Sequence, residues 1–314
     1  MRILFIIDPL ERLDFNWDSS LFLMAEMRQR RHKCWAADPS GIWTEQNRIW
    51  LSARDDFKIS SSKKWALRDF DLVLLRKEPP FDEHYTTLTH LLELEAHCVP
   101  FVNHPAGIRN TGEKLSCLLF PRWIPETLVS SSAEEILQFY RQLKYAMVLK
   151  PLHLKGGKGV LLIQNKEKKF KRRIQKSTLD GKQMIMAQRF VPLPKGQHEK
   201  RIVLLNGNPL WAYEKRPVSG EFRANLGLGA KFFPSQISQV EKELARDLKP
   251  YLLRQGLYFV GLDVRAGKLL EINVTCPAGI VEATILYPKL RPVEVWANWL
   301  EDFARSFSKR RPPA

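Results

Sequence analysis

The chain has 314 residues, 44% of them hydrophobic and 11% aromatic, enough to bury cores in two or three α/β lobes. No apolar run approaches the ~20 residues of a membrane span, Met1 leads into a strand without a signal-peptide pattern, and Cys34, Cys98, Cys117 and Cys276 form no Cys-x-x-Cys pair. This argues against a membrane protein, a disulfide scaffold and a zinc site, and a cytoplasmic location is expected; the formal charge of +16 calls for an anionic partner without choosing among nucleic acid, headgroups and polyphosphates.

The first third reads as an open, doubly wound lobe. A strand at Ile3–Ile7 precedes a helix over about Ser20–Arg31, with Asp18 or Ser19 as its N-cap. The next apolar strand, Asp71–Arg76, ends in the rigid turn Glu78-Pro79-Pro80-Phe81-Asp82, and strand ends are where such sheets gather ligand groups. A helix over Thr87–His97 carries His90, Glu93 and His97 opposite Leu88, Leu91, Leu92 and Leu94; an exposed polar face accounts for them better than a metal site does. The strand Val99–Val102 then leads through Asn103-His104-Pro105 to a helix expected to contain Lys114.

A second, smaller lobe starts near Pro121-Arg122, with a helix at Glu134–Lys144 and a strand at Met147–Pro151. Lys155-Gly156-Gly157-Lys158-Gly159 follows, before the strand Val160–Ile163. Glycines at such a tip expose backbone N–H groups and can cover phosphates, but the spacing is not that of the Lys-Ser/Thr phosphate loop, and alone the pattern is no more than a turn. The basic runs Lys166–Arg173 and Ser308–Arg311 read as solvated surface, and no nucleic-acid recognition motif accompanies them.

The third lobe begins near Gln197. Strands at Lys200–Leu205 and Leu210–Glu214 flank the turn Asn206-Gly207-Asn208-Pro209, and the polar stretch Ser219–Gly229 resembles a loop that sets Arg223 and Asn225 against an anion. Helices are expected over Ile237–Arg254 and Pro292–Ser306. Between them Phe259–Asp263 and Lys268–Thr275 form a hairpin around Arg265-Ala266-Gly267. Alternation with period two sends Glu271 and Asn273 to one face, brings them close to Asp263 and turns Ile272 into the core. Hard oxygen ligands at this spacing suit Mg²⁺, which takes one or two carboxylates and leaves room for water and phosphate; taken alone, the triplet also fits a solvated sheet face.

The order of these features resembles the ATP-grasp superfamily, and more closely its bacterial glutathione synthetase family. The resemblance is carried by Asp18-Ser19-Ser20, Leu75–Asp82, Glu113-Lys114-Leu115, Pro125–Val129, Leu149–Leu152, Ala187-Gln188, Lys200-Arg201, Arg223–Leu226, Phe259–Asp263 and Glu271–Thr275, spread over essentially the whole chain. It implies an α/β (α+β) ATP-grasp fold: a doubly wound pre-ATP-grasp lobe over 1–120, a lid over 121–196 and a metal-binding lobe over 197–314. By that likeness Lys114 and Lys150 neutralise phosphate oxygens, Gly156 and Gly157 belong to a mobile cover, Gln188, Arg189, Phe190 and Val191 meet adenine, and Glu199 holds ribose hydroxyls. Asp263, Glu271 and Asn273 bind the Mg²⁺ that bridges the phosphates of ATP, while Arg201, Arg223 and Asn225 steady the transferred phosphoryl group and an acyl phosphate.

The implied reaction is ligation of γ-glutamylcysteine with glycine to glutathione in a cytoplasmic homo-oligomer, a tetramer, with no membrane partner. Fixed cations around spreading phosphoryl charge give this a physical basis. The chain departs from the family pattern at His153-Leu154, at Lys215 and at Val281, which stands where an arginine is expected near the acceptor pocket. The departures keep open a related ligase with another acyl donor or amine; a non-catalytic module that binds nucleotide or nucleic acid is a third reading.

Overall fold

The computed structural model describes residues 1–55, 62–143, 146–164 and 170–309. Its first sheet is built from β1 (Arg2–Ile6), β2 (Lys33–Glu45), β3 (Arg48–Arg54), β4 (Lys63–Ala66), β5 (Leu72–Leu75) and β6 (Phe101–Val102), in the order β4-β3-β2-β1-β5-β6. The β2-β1-β5-β6 part is parallel and β3 and β4 add antiparallel to its edge. Ile3–Ile6 and Leu72–Leu75 are buried throughout, as strands covered on both faces must be. The helices of this lobe are α1 (Ser19–Gln29), α2 (Glu83–Glu93) and α3 (Pro105–Asn110). Asp18 caps α1, accepting from Ser20 N and Leu21 N at 2.7 and 3.0 Å.

Two expectations are corrected here. Asp82 accepts from Tyr85 N and so starts α2 at Glu83; the helix ends at Glu93, which leaves His97 off it, and Glu93 pairs with Arg109 instead. Among the described residues no group of three or more His, Cys, Asp or Glu is arranged to hold a metal. Lys114 is not helical either: α3 stops at Asn110, and Lys114 immediately precedes a 3-10 turn at Leu115–Leu119.

The second sheet, in the order β7-β10-β8-β9, contains β7 (Thr127–Ser130), β8 (Met147–Pro151), β9 (Leu161–Ile163) and β10 (Ile185–Arg189), all antiparallel, with α4 (Ala133–Gln142) and α5 (Phe170–Ser177) packed on it. The part of the basic run that is described forms α5, which exposes Lys171 and Arg172 but buries Ile174 completely; Lys166–Lys169 and Arg310-Arg311 lie outside the described residues.

The third sheet is antiparallel, in the order β13-β12-β11-β14-β15, from β11 (Glu199–Leu205), β12 (Asn208–Arg216), β13 (Lys231–Ser235), β14 (Phe259–Arg265) and β15 (Lys268–Asn273). Positive φ at Asn206 and Gly207 (52° and 73°), and at Ala266 and Gly267 (47° and 73°), makes both hairpin connections tight primed turns. The sheet is accompanied by α6 (Gln239–Arg254), α7 (Ile280–Leu286) and α8 (Pro292–Ser308).

The cores tie these units together unequally. Leu4 and Val73 of the first sheet share one core with Ile202 and Leu262 of the third, and Leu74 and Met24 share another with Val203 and Trp296. Asn103 stitches the same seam: buried, it donates to Phe259 O and Val274 O (2.7 and 2.8 Å) and accepts from Tyr258 N and Phe259 N (both 2.8 Å). The second sheet has a core of its own around Ile136, Met147, Leu149, Ile174 and Ile185. Among the described residues no helix is long and apolar enough to cross a membrane.

Candidate functional site

A strand sends alternate side chains to one face, so the register of the third sheet decides which polar groups meet. Tyr213 on β12 faces Arg201 on β11, Arg201 faces Asp263 on β14, and Asp263 faces Glu271 on β15, which makes one polar row across four strands. Gly261 and Asn273 pair in the neighbouring row, as do Glu199 and Lys215 on the other side. Between Asp263 and Val264 the register shifts and Leu270 is the extra residue, a bulge through which Leu270 and Glu271 both line the same cavity.

The cavity, of about 580 Å³, lies among all three sheets. The structure brings to its wall every site residue named from the sequence: Lys114, Lys150, Gly156, Gly157, Gln188, Arg189, Phe190, Val191, Glu199, Arg201, Arg223, Asn225, Asp263, Glu271 and Asn273. Val281 is not among the lining residues; it is buried in α7, and its neighbour Glu282 lines the wall instead.

At the sheet end, Asp263 is held by both ends of the Arg201 fork (2.9 and 3.0 Å) and by Lys215 Nζ (2.7 Å). Burial alone would raise its carboxyl, but these two cations reverse the effect and keep it well below the ordinary carboxylate range. Glu271 pairs with Lys114 Nζ at 2.9 Å, and Asn273 donates its amide to Gly261 O at 3.0 Å, which leaves its oxygen as an acceptor. Glu113, unremarked in the sequence beyond its place before Lys114, secures the end of β15: its carboxylate accepts from Val274 N, Thr275 N and Thr275 Oγ1 (2.9, 3.1 and 2.9 Å). Burial, with the neighbouring Glu271, pushes its pKa up despite those bonds.

Asp263, Glu271 and Asn273 offer an all-oxygen donor set on adjacent strands, which fits Mg²⁺ completed by phosphate and water rather than a metal caged by protein alone. The Gly-rich tip lines the same cavity. Gly156 and Gly157 have φ of 69° and 71°, and a Cβ on Gly157 would come within 3.3 Å of the Arg223 side chain. The cover they form is tied to the other units: Lys155 Nζ meets Glu78 at 2.5 Å, Lys114 Nζ donates to Leu154 O at 2.8 Å, and Arg223 Nη1 donates to Gly157 O at 2.9 Å. Arg223 is also forked by Glu221, and the Asn225 side chain accepts from Gly227 N, so both are fixed within their own loop.

At the far end Lys150 Nζ donates to Gln188 Oε1 at 2.7 Å, and burial lowers its pKa. The Arg265 guanidinium lies 4.9 Å from the Phe190 ring centre and donates to Val191 O at 2.6 Å, while Glu199 pairs with Lys215 at 2.9 Å and with Arg265 at 3.8 Å. Tyr213 and Glu282 escaped the sequence reading as site residues, and Lys215 stood out only as a departure from the family pattern. Period-two alternation from the buried Trp211 would have put Tyr213 and Lys215 on the Arg201 face; Glu282, in a short helix, gave no comparable signal.

Known proteins agree with this architecture. Residues 1–109 match the N-terminal domain of prokaryotic glutathione synthetase and residues 113–287 its ATP-grasp domain. A glutathione synthetase of Parasynechococcus marenigrum (strain WH8102) is 37% identical over 288 residues, covering 90% of this chain and 93% of that protein. Among solved structures, D-cycloserine synthetase DcsG superposes with a TM-score of 0.66 at 16% identity, over 95% of this chain and 99% of that one. The ATP-grasp ligase PsnB, solved with a minimal precursor, Mg and ADP, gives 0.62 at 14% identity, over 96% and 97%. These two show the fold alone. With both family domains matched in order and their cavity intact, the chain belongs to the prokaryotic glutathione synthetase family of the ATP-grasp superfamily and is an ATP-dependent carboxylate–amine ligase.

Proposed function

We propose that the chain joins γ-glutamylcysteine to glycine, using ATP and Mg²⁺ and releasing ADP and phosphate, in three lobes bounded at about residues 120 and 196. The observation that carries the reading is the polar row Tyr213–Arg201–Asp263–Glu271, which faces Lys114 and Lys150 across one cavity in a chain of this family. Lys114 and Lys150 neutralise phosphate oxygens. The backbone of 188–191 and the Phe190 ring receive adenine, and Glu199 the ribose. Asp263, Glu271 and Asn273 would hold magnesium, which would supply charge neutralisation for the phosphate oxygens. Arg201, which Asp263 holds immobile, and Arg223 with Asn225 stabilise charge on the phosphoryl group as it passes to the donor carboxylate, and later on the departing phosphate. Gly156 and Gly157 close over the acyl phosphate and exclude water from an intermediate that water would destroy. The four free cysteines suit a reducing cytoplasm.

The test incubates purified protein with ATP, Mg²⁺, γ-glutamylcysteine and a panel of amines. Phosphate release that depends on glycine, with glutathione as product, is the expected result. Release with a different amine only, or with a different acyl donor only, overturns the substrate assignment and establishes a related ligase.

A further inference from the structure

An amino acid that arrives as a ligation acceptor carries an ammonium group, which must meet an anion and lose a proton before its nitrogen can attack. Most carboxylates lining the cavity are already spoken for. Glu78 pairs with Lys155, Glu199 with Lys215, Asp263 with Arg201 and Lys215, and Glu271 with Lys114, while Glu113 is tied by three hydrogen bonds to the chain at 274–275. Glu282 differs. It lines the cavity at 4% exposure with no ion pair to a described cation, and its side-chain partner is the Tyr213 hydroxyl, which donates to Oε1 at 3.2 Å.

The wall that carries it is held firmly. Arg76 Nη2 donates to Pro277 O at 3.0 Å and Trp211 Nε1 to Gly279 O at 3.0 Å. Gly279 has φ 132°, and a Cβ there would fall 2.4 Å from Val203 Cγ2, so the turn into α7 fits only glycine. Tyr213 stands directly beside Arg201 in the polar row, which places Glu282 next to the group assigned to the acyl phosphate.

We propose that Glu282 is the catalytic carboxylate that receives the acceptor, binding its ammonium group and taking its first proton, with Tyr213 holding the carboxylate in place. The inference rests on the ligase reading above. The freed amine attacks the acyl carbon with its lone pair; the C–N bond forms and the C–O bond to phosphorus breaks, its electron pair leaving with the phosphate. The second nitrogen proton departs on phosphate, and Glu282 returns the first to water. Burial raises the Glu282 carboxyl above its ordinary value, while a backbone hydrogen bond, Arg201 and the Tyr213 hydroxyl oppose the rise; Asp263, behind Arg201, is the next charge along the row.

The test uses two acceptors on the full chain: glycine, and hydroxylamine, which is largely uncharged at neutral pH and traps acyl phosphates as hydroxamate without needing its charge bound or removed. Glu282→Gln keeps the size and an acceptor oxygen for Tyr213. It should lower kcat/KM for glycine about 100-fold, with KM for glycine raised, while hydroxamate formation from γ-glutamylcysteine and ATP stays within about threefold of the unsubstituted enzyme. Tyr213→Phe should raise KM for glycine and leave trapping unchanged, a second test should Glu282→Gln fold poorly. Parallel loss of both acceptors, or retention of both, in the folded variants overturns the assignment. Failure of the unsubstituted protein to make either product marks the failure of the ligase reading itself and removes the assignment with it.

Discussion

Asp263→Asn removes one charge and almost no volume, and its cost can be worked from the contacts. Asp263 is 9% exposed at its side chain; Arg201 and Lys215, at 12% and 7%, are its partners. Lys215 retains Glu199 at 2.9 Å, but Arg201 loses both of its bonds to carboxylate and faces an amide that competes as a donor. Breaking a buried ion pair on one side costs about 3–5 kcal/mol because the remaining charge is stranded. Against a total stability of about 5–15 kcal/mol that is a large loss, and at about 2–4 °C per kcal/mol for domains of 150–250 residues the melting temperature should fall by roughly 6–20 °C. Circular dichroism melts of the nucleotide-free protein measure it. The pH dependence gives a second check. A carboxyl whose folded pKa is depressed contributes stability that is complete above its unfolded value of about 3.9 and is lost as pH falls through the folded value. The gap between the two proteins should thus be constant from pH 7 to about 5 and narrow only below about pH 4. A melting temperature within 1 °C of the unsubstituted protein at pH 7, or a gap that already shrinks between pH 7 and 5, would refute the reasoning.

Glu271→Gln should leave the fold in place, because Glu271 is 24% exposed and has a single ion pair, yet cut ligation about 100-fold or more at saturating Mg²⁺; turnover within threefold of normal would remove Glu271 from the metal site. Lys150→Met should separate stability from binding. A lysine whose pKa is lowered on folding costs stability below that folded value and stops costing it as pH rises towards the unfolded one, so at pH 7 the variant should melt no lower than the unsubstituted protein, while the thermal shift on adding ADP and Mg²⁺ disappears. A normal shift would show that Lys150 does not meet phosphate. Asn103→Leu strands two carbonyls and two N–H groups at the seam between the first and third sheets and should cost about 4 kcal/mol at about 1 kcal/mol per bond; urea unfolding measures this, and a loss under 1 kcal/mol would mean that the seam is held by its apolar cores alone.

The hairpin of β14 and β15 was legible because alternation and a tight turn act over few residues and specify one register. Other parts depend on partners distant in sequence. The strand Lys33–Glu45 contains Asp38-Pro39-Ser40-Gly41, which reads as a turn; a register shift between Ala37 and Ile42 lets the strand continue past it, and only pairing with β3 reveals this. Helix α5 is hidden by its lysines and arginines, since only the buried Ile174 and the half-buried Phe170 dock it. The bulge at Leu270 defeats strict alternation, and the non-helical backbone before Lys114 follows from where α3 ends. Site residues with a charge at a strand end could be named from the chain. Glu282 could not, because its role is set by which of the cavity's carboxylates remain without a cation, and that can be asked only once all of them are in place.

The division of the cores bears on how such a cavity can open. The first and third sheets share two apolar cores and the Asn103 bonds, so separating them would expose side chains worth about 1.5–3 kcal/mol each, and the two sheets behave as one body. The second sheet keeps its core to itself, and its Gly-rich cover is tied by polar contacts: Lys155 to Glu78 with both side chains more than a third exposed, Lys114 to Leu154 O and Arg223 to Gly157 O. The exposed ion pair contributes about 1 kcal/mol or less and the two hydrogen bonds from charged donors about 1.5–3 kcal/mol each, well short of the cost of opening a shared core. All three engage cations that line the cavity, so an anionic ligand draws on the same groups that hold the cover down. Entry of a triphosphate therefore exchanges contacts for Lys114 and Arg223 instead of breaking a core, and the cover can move while the polar row on the third sheet stays fixed.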